Sequence, residues 1–329
     1  MEPNRMRYRS LFWPILLIGV GVVWMLSNLG YVQPFSLYNL LRLWPILLIV
    51  AGLDILFGRR SPLIGALIGL LALAGIIYLL LAAPSLGIMQ TPALSTLDFN
   101  EPVGEATLAT VDLNLSSYRT SIQPVTDSNS LVKAHIQHFG DVRMTARGAT
   151  TKVITLEQND LSVDWISQLA QGESITWQIG LSPKVPIDLT INSGSGTIDA
   201  DLSSLQPIGI SANLGSGRFN VKLPVNEKRY NFEINSGSGS NQFDVPCLAN
   251  VEFHLNAGSG SNTFSIPQGC AAHLDVVNSG SGRIEVASWL SQLSGNDREG
   301  AWESSAYKAS ARHILVVVDS MGSGRLTIH

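Results

Sequence analysis

The chain has 329 residues, 14% of them charged, and a formal charge of −4, with its apolar residues crowded into the first quarter. So mild a charge, without a basic stripe interleaved with aromatics, excludes a nucleic-acid protein. Two cysteines, Cys247 and Cys270, cannot form a disulfide scaffold, and no C-x-x-C is present to hold a metal or a redox centre.

Residues 1–86 read as a membrane anchor. Leu11 to Leu29 is LFWPILLIGVGVVWMLSNL, nineteen residues without a charge, close to the roughly 20 needed to cross a bilayer. Two further apolar stretches, about 40–57 with the single acid Asp54 and 63–83 with no charge, predict three spans in all. Arg5, Arg7 and Arg9 precede the first span, and Arg59 and Arg60 lie between the second and third. Basic residues near span ends stay on the cytoplasmic side, so both clusters belong inside and Arg42 is one dissenting vote. Everything after about Ala83 is then expected outside. The apolar run is longer than a signal core, and no A-x-A site follows it, which disfavours a cleaved secretory signal.

The hexapeptide Trp13-Pro14-Ile15-Leu16-Leu17-Ile18 recurs from Trp44 to Ile49, relating the first two spans by a period of 31 residues. Gly65 and Gly69 form a small-xxx-small pair that permits close helix packing, including between copies of the chain. Asp54 lies near the cytoplasmic end of its stretch, within snorkelling reach of the interface and close to Arg59, so a solvated acid explains it better than a relay.

After a linker at 87–97, residues 98–186 read as an irregular, membrane-proximal β region, with alternation such as Val111/Leu113/Leu115. From 187 to 329 a repeat takes over. Asn192-Ser193-Gly194-Ser195-Gly196 returns from Asn213, Asn235, Asn256 and Asn278, and a last GSG starts at Gly322. The first glycines, Gly194, Gly215, Gly237, Gly258, Gly280 and Gly322, are separated by 21, 22, 21, 22 and 42 residues, the last being two periods. Short runs of period-two alternation flank each GSG, for example Ile187/Leu189/Ile191 and Ile208/Ile210/Ala212 before it, and Phe219/Val221/Leu223 and Phe243/Val245 after it. Such runs are half-buried strands.

A unit of this size cannot bury its apolar face alone, but stacked units share one core. The expected fold is therefore an α-helical membrane anchor plus an all-β domain of stacked two-strand repeats, a β-solenoid or toast rack. The glycine pairs Gly194/Gly196, Gly215/Gly217, Gly237/Gly239, Gly258/Gly260, Gly280/Gly282 and Gly322/Gly324 mark structural corners. There glycine supplies positive φ or close backbone approach, and the corner asparagines tolerate a left-handed backbone or cap the turn. Serines stacked between rungs can exchange hydrogen bonds. A ligand-binding edge, through amide nests or serine hydroxyls facing sugars, is the minor alternative to plain corners.

Between about 288 and 313 the phase breaks, in the space of one missing corner. Charges and aromatics gather there, and Trp289, Arg298, Trp302 and Tyr307 are the candidate partner-contact residues. Cys247 and Cys270, nearly one period apart, belong on adjacent rungs as a disulfide or as two buried thiols. No catalytic constellation is legible. His135 and His138 point to opposite faces of a strand, and the outward column Asp199, Asn220, Gln242, Thr263 and Glu285 keeps its two acids several rungs apart. No cofactor or metal is expected.

The tandem WPILLI spans resemble the LiaI-LiaF-like transmembrane region of bacterial membrane proteins. Trp177 to Ile191, WQIGLSPKVPIDLTI, followed by GSG and Asp201-Leu202-Ser203-Ser204-Leu205, is similar to the entry of toast-rack and LiaF-like C-terminal β-domains. The resemblance implies a non-enzymatic envelope protein in stress signalling, where LiaF-like proteins restrain a membrane sensor histidine kinase. It carries over no ligand or catalytic residue. The expected partners are the membrane and that kinase or another envelope protein, with an adhesin or binder of wall polysaccharide as the alternative.

Overall fold

A computed structural model describes residues 44–56, 62–86, 94–115, 118–138, 141–158 and 175–329, together with isolated positions before residue 26. The expected span at 11–29 thus falls largely outside the described residues, as does the linker up to residue 93. The helical unit contains α1 (Trp44–Leu56) and α2 (Pro62–Leu86). Proline falls within the first two positions of each, where its missing amide costs the helix nothing. Asp54 is buried in α1, and Gly65 and Gly69 are buried in α2. Among the described residues no helix is by itself long and apolar enough to cross a membrane, although the backbone of α2 runs for 25 residues without a charge.

The second unit is all β. Its first part holds β1 (Ser95–Pro102), β2 (Leu108–Leu115), β3 (Arg119–Pro124), β4 (Ser130–His138), β5 (Val142–Arg147), β6 (Thr151–Gln158) and β7 (Thr176–Leu181). The repeats follow as pairs around each corner: β8 (Ile187–Ser193) and β9 (Thr197–Asp201), β10 (Pro207–Leu214) and β11 (Arg218–Lys222), β12 (Tyr230–Ser236) and β13 (Ser240–Asp244), β14 (Val251–Ala257) and β15 (Ser261–Ser265). The chain ends with β16 (Ala272–Val276), β17 (Arg283–Glu285), β18 (Leu290–Gly295), β19 (Gly300–Ser304), β20 (Ile314–Met321) and β21 (Arg325–Ile328).

Each corner sends its two strands into different sheets. One sheet runs β1-β4-β7-β3-β9-β11-β13-β15-β21-β17 and the other β18-β19-β16-β20-β14-β12-β10-β8-β2-β6-β5. Within the repeats every neighbour is parallel, and apart from shifts at Pro207/Gly209 and Leu255/Asn256 in register, so that Ile191, Ala212, Ile234 and Leu255 form one inward column. Alternation then buries one side of each strand between the sheets, as in the BeBeBeB pattern of β12. Phe219, Phe232, Phe243, Phe253 and Phe264 are each almost fully buried in this shared core. The Phe243 and Phe264 rings stack at 4.6 Å, and Phe232 lies 5.5 Å from Phe253. Each such ring contributes about 1.5–3 kcal/mol of burial, which no isolated rung would gain.

Three expectations about the course of the chain are corrected. The region 98–186 is irregular only in part: β2/β3 and β6/β7 are two further rungs of the stack, parallel to β8/β9 and to each other, whereas β1, β4 and β5 pair antiparallel, and β1 already begins at Ser95, inside the expected linker. Ile208 is exposed, because the register shifts between Pro207 and Gly209 and turns it outward. Most consequential is the order of the last rungs. No corner is missing at 288–313, because β20/β21 returns to fill the place between β14/β15 and β16/β17. The segment 288–313 is instead a detour. Its hairpin β18–β19 adds antiparallel strands at the edge of one sheet, beyond β16.

The corner glycines also act mainly in one way rather than two. Among the described residues only Gly280 of the twelve takes a positive φ, at 55°, and no other residue type does. Close approach explains most of the others, although a Cβ on Gly194, at the first corner, would meet nothing within 4 Å. A Cβ on Gly237 or Gly258 would lie 2.8 Å from the carbonyl oxygen of Gly215 or Gly237 one rung away, and one on Gly217 would overlap the Gly196 carbonyl outright.

The corner at Gly280 and Gly282 differs from the others in its bonding. The Gly282 amide donates back to the Ser279 carbonyl at 2.9 Å, within its own corner, where the corresponding Gly260 amide donates across to Gly237. Gly282 is buried, and a Cβ on it would meet the Met321 side chain at 2.5 Å as well as the Gly324 carbonyl oxygen at 2.7 Å. The physical reason is its place on the terminal rung. The left-handed turn at Gly280 folds this corner onto itself, so Gly282 closes a local turn and packs against a side chain besides keeping the close approach between rungs.

Gly217→Ala is expected to lower stability by about 1–3 kcal/mol or more, whereas Ser216→Ala, at an exposed position of the same corner, should leave the thermal unfolding midpoint nearly unchanged. Equal midpoints for the two variants would contradict this account of the corners.

Candidate functional site

The stacked corners form an open groove of about 970 Å³ along one side of the β unit. Exposed Ser195, Ser216, Ser238, Ser259, Ser323 and Ser281 line it, one per rung. The first residue after each corner forms a second row: Thr197, Arg218, Ser240, Ser261, Arg325 and Arg283 in spatial order. Six corners at the parallel-strand spacing of about 4.8 Å make the groove roughly 24 Å long. A search for what repeats misses the three arginines, although GSGR at 215–218, 280–283 and 322–325 is a plain signal.

Main-chain groups in this groove are already engaged. The amides of Gly215 and Ser216 donate to the carbonyls of Ser193 and Gly194, at 2.9 and 2.8 Å, and those of Gly237, Gly258 and Gly322 donate to the preceding rung in the same way. These bonded amides are not free to form a nest for anions. Side chains supply the remaining donors. Ser323 donates to Ser259 at 3.1 Å between corners.

The hydrogen-bonded column expected of the serines belongs to the asparagines instead. Asn192 donates to Asn114, Asn213 to Asn192, Asn235 to Asn213 and Asn256 to Asn235, at 2.9, 2.7, 2.9 and 3.4 Å, and Ser320 caps the series on Asn256. These four repeat asparagines neither cap turns nor adopt left-handed backbone. Asn278, on the terminal rung, differs: its Oδ1 accepts from the Gly280 amide at 2.9 Å.

A second amide pair lies inside the core, unread in the sequence. Asn241 and Asn262 occupy the inward column of Ile198, Phe219 and Leu326, and both are buried. Asn241 Nδ2 donates to Ser236 Oγ and to Asn262 Oδ1 at 2.7 and 2.8 Å, while Asn262 Nδ2 has no partner among the described residues.

The four partner-loop residues do not form one surface. Trp302 is buried and Trp289 packs against the core, because the hairpin β18–β19 covers the end of the inter-sheet space. Tyr307 stacks on His313 at 4.5 Å, and burial pushes its phenol pKa up. Arg298 alone is fully exposed, at a turn where Asn296 Oδ1 accepts from the Arg298 and Glu299 amides. Cys247 and Cys270 are joined by a disulfide with a Cα separation of 4.7 Å. Asp188, whose pKa burial raises with help from Asp112, sits on the outer side of β8, and neither acid lines the groove. Among the described residues no group of three metal-ligating side chains occurs.

A stack of parallel two-strand rungs joined to an apolar helical segment defines a class of rack-bearing, membrane-associated proteins. Within it, residues 11–56 match the LiaI-LiaF-like transmembrane region and residues 92–244 the N-terminal domain of toast_rack. The rungs from β14 onward lie past the second match. No curated protein matches the chain. Two solved structures are distantly similar to the chain: a candidate cell adhesion protein from Clostridium sporogenes, 15% identical, covering 72% of this chain and 99% of its own with a TM-score of 0.48, and a candidate adhesin from Bacteroides fragilis, 10% identical, covering 73% and 100% with a TM-score of 0.28. Likenesses this distant carry no argument about function.

The core amide pair yields a specific expectation. Asn241→Leu alone strands the Asn262 amide and should cost about 1–3 kcal/mol, whereas Asn241→Leu with Asn262→Leu removes both polar groups from an apolar column and should recover most of that loss. Denaturant unfolding of the two variants measures it, and a double variant less stable than the single one would refute the assignment.

Proposed function

We propose that the chain is a non-catalytic, LiaF-like envelope protein that anchors in the cytoplasmic membrane through three spans and presents its β-rack outside. There the rack acts in envelope-stress sensing or regulation through contacts with other proteins, a membrane sensor kinase among them. The observation that carries this reading is the union in one chain of a LiaI-LiaF-like transmembrane region and a toast-rack domain. The Cys247–Cys270 bridge supports the outside placement, since disulfides persist in oxidising compartments. A second reading, attachment to surface polysaccharide, is favoured by the hydroxyl-lined groove alone.

Placement is testable by thiol labelling. In intact cells a membrane-impermeant maleimide should modify Cys247, the exposed half of the bridge, only after an impermeant reductant is added; labelling that requires membrane rupture would put the rack inside. Function is tested by crosslinking in intact cells followed by mass spectrometry. A sensor histidine kinase joined to rack residues is the expected product, and recovery of wall glycan with no membrane protein would overturn the regulatory reading.

A further inference from the structure

The protein carries a net charge of −4, yet its groove is lined by three arginines and by no carboxylate. Arg283 and Arg325 stand on neighbouring rungs with side chains 71% and 54% exposed, each 4.0 Å from the same residue, Glu285. Ion pairs this long and this open hold little energy. Among the described residues Arg218, three rungs from Arg325, takes part in no ion pair. The guanidinium groups are thus fixed at their bases by a parallel ladder and free at their tips. Beside them runs the row of exposed serine hydroxyls.

We propose that this groove binds a linear, anionic, hydroxyl-rich polymer, with Arg218, Arg325 and Arg283 holding its charged groups and the corner serines its hydroxyls. The proposal goes beyond the regulatory role and does not depend on it. Three properties of the groove select the ligand. Its length of roughly 24 Å suits several repeats of a chain better than a single small molecule. Guanidinium groups make charge-assisted, often bidentate hydrogen bonds to phosphate or carboxylate, about twice as strong as neutral ones. No aromatic side chain lines it, so a single-stranded nucleic acid lacks a surface on which to stack its bases, and a neutral glycan would have hydroxyls alone to compete with water. Glycine floors the groove because the corners cannot accept a Cβ, which leaves the backbone of a bound chain free to lie close.

The test uses the full chain in nanodiscs of zwitterionic lipid and four probes: polyglycerol phosphate, alginate, neutral dextran and oligo-dT. At least one of the first two should bind at low ionic strength and weaken as salt is added, and which of them binds separates a phosphodiester source from a carboxylate one. The triple variant R218Q/R283Q/R325Q should bind about tenfold or more weakly. Glu285→Gln, which removes the acid shared by two of the arginines, should bind more tightly. Equal binding of dextran, tighter binding of oligo-dT, or no binding of either anionic polymer would overturn the proposal. So would unchanged affinity in a triple variant that folds; if that variant does not fold, an unchanged affinity in Glu285→Gln decides against it. Purified protein is used, so a failure here leaves the anchor orientation and the kinase reading untouched, and a rack found inside the cell would leave binding intact.

Discussion

The rack depends on one close approach: the backbone of each GSG corner lies against the carbonyls of the corner beneath it, where a Cβ does not fit. Parallel strands must sit about 4.8 Å apart to bond, and a chain turning sharply between two sheets keeps that spacing through the turn only if the turn has no side chains on its inner side. Gly215, Gly217, Gly239 and Gly260 satisfy this at successive rungs. Once the corners stack, register is no longer free. Slippage by one residue would bring Cβ atoms into the corner and turn every buried side chain outward at the same time. The inward Phe and Ile columns, the asparagine ladder and the single row of groove serines all follow from that shared register.

The same constraint shapes what the surface can offer. Backbone donors at the corners are used between rungs, so recognition falls to the side chains that flank them. Those side chains can differ from rung to rung without disturbing the stack, which is why arginine, serine and threonine alternate at a position whose backbone hardly changes. A scaffold of this kind separates stability from recognition: glycine and the inward columns fix the fold, and the outward columns carry its chemistry.

Much of this is legible in the sequence. The 21- and 22-residue period and its flanking alternation specify rungs of two strands, because period two and a fixed glycine interval are direct images of the geometry. Spatial order is not legible. An interval of 42 residues is the same number whether a rung is missing or the chain detours and comes back, and only pairing distinguishes the two. Nor does the repeat reveal that Gly282 closes a turn of its own, since the terminal corner spells the same GSG as the interior ones. Asn241 and Asn262 occupy core phase but escape a search for inward positions by apolar character. Ile208 shows the converse, an apolar residue in apparent phase that a bulge turns outward. Trp289 and Trp302 resemble contact residues because they lie in an insertion, yet an open end of the inter-sheet space is itself a place for large rings. The arginines of the groove are visible as GSGR, but attention to what repeats hides what varies at the next position.

The return of β20/β21 to a place between two earlier rungs bears on how the domain is made. Val251 pairs with Ile314 and Ala272 pairs with the same residue from the other side, so the gap between β14 and β16 stays open until the final residues of the chain are available. During synthesis the two flanking rungs expose unpaired parallel edges, the kind of surface that recruits foreign strands. Assembly therefore cannot proceed as simple addition of one layer to the next. It ends with the insertion of a keystone, and an incomplete chain lacks a layer from its interior rather than from its end.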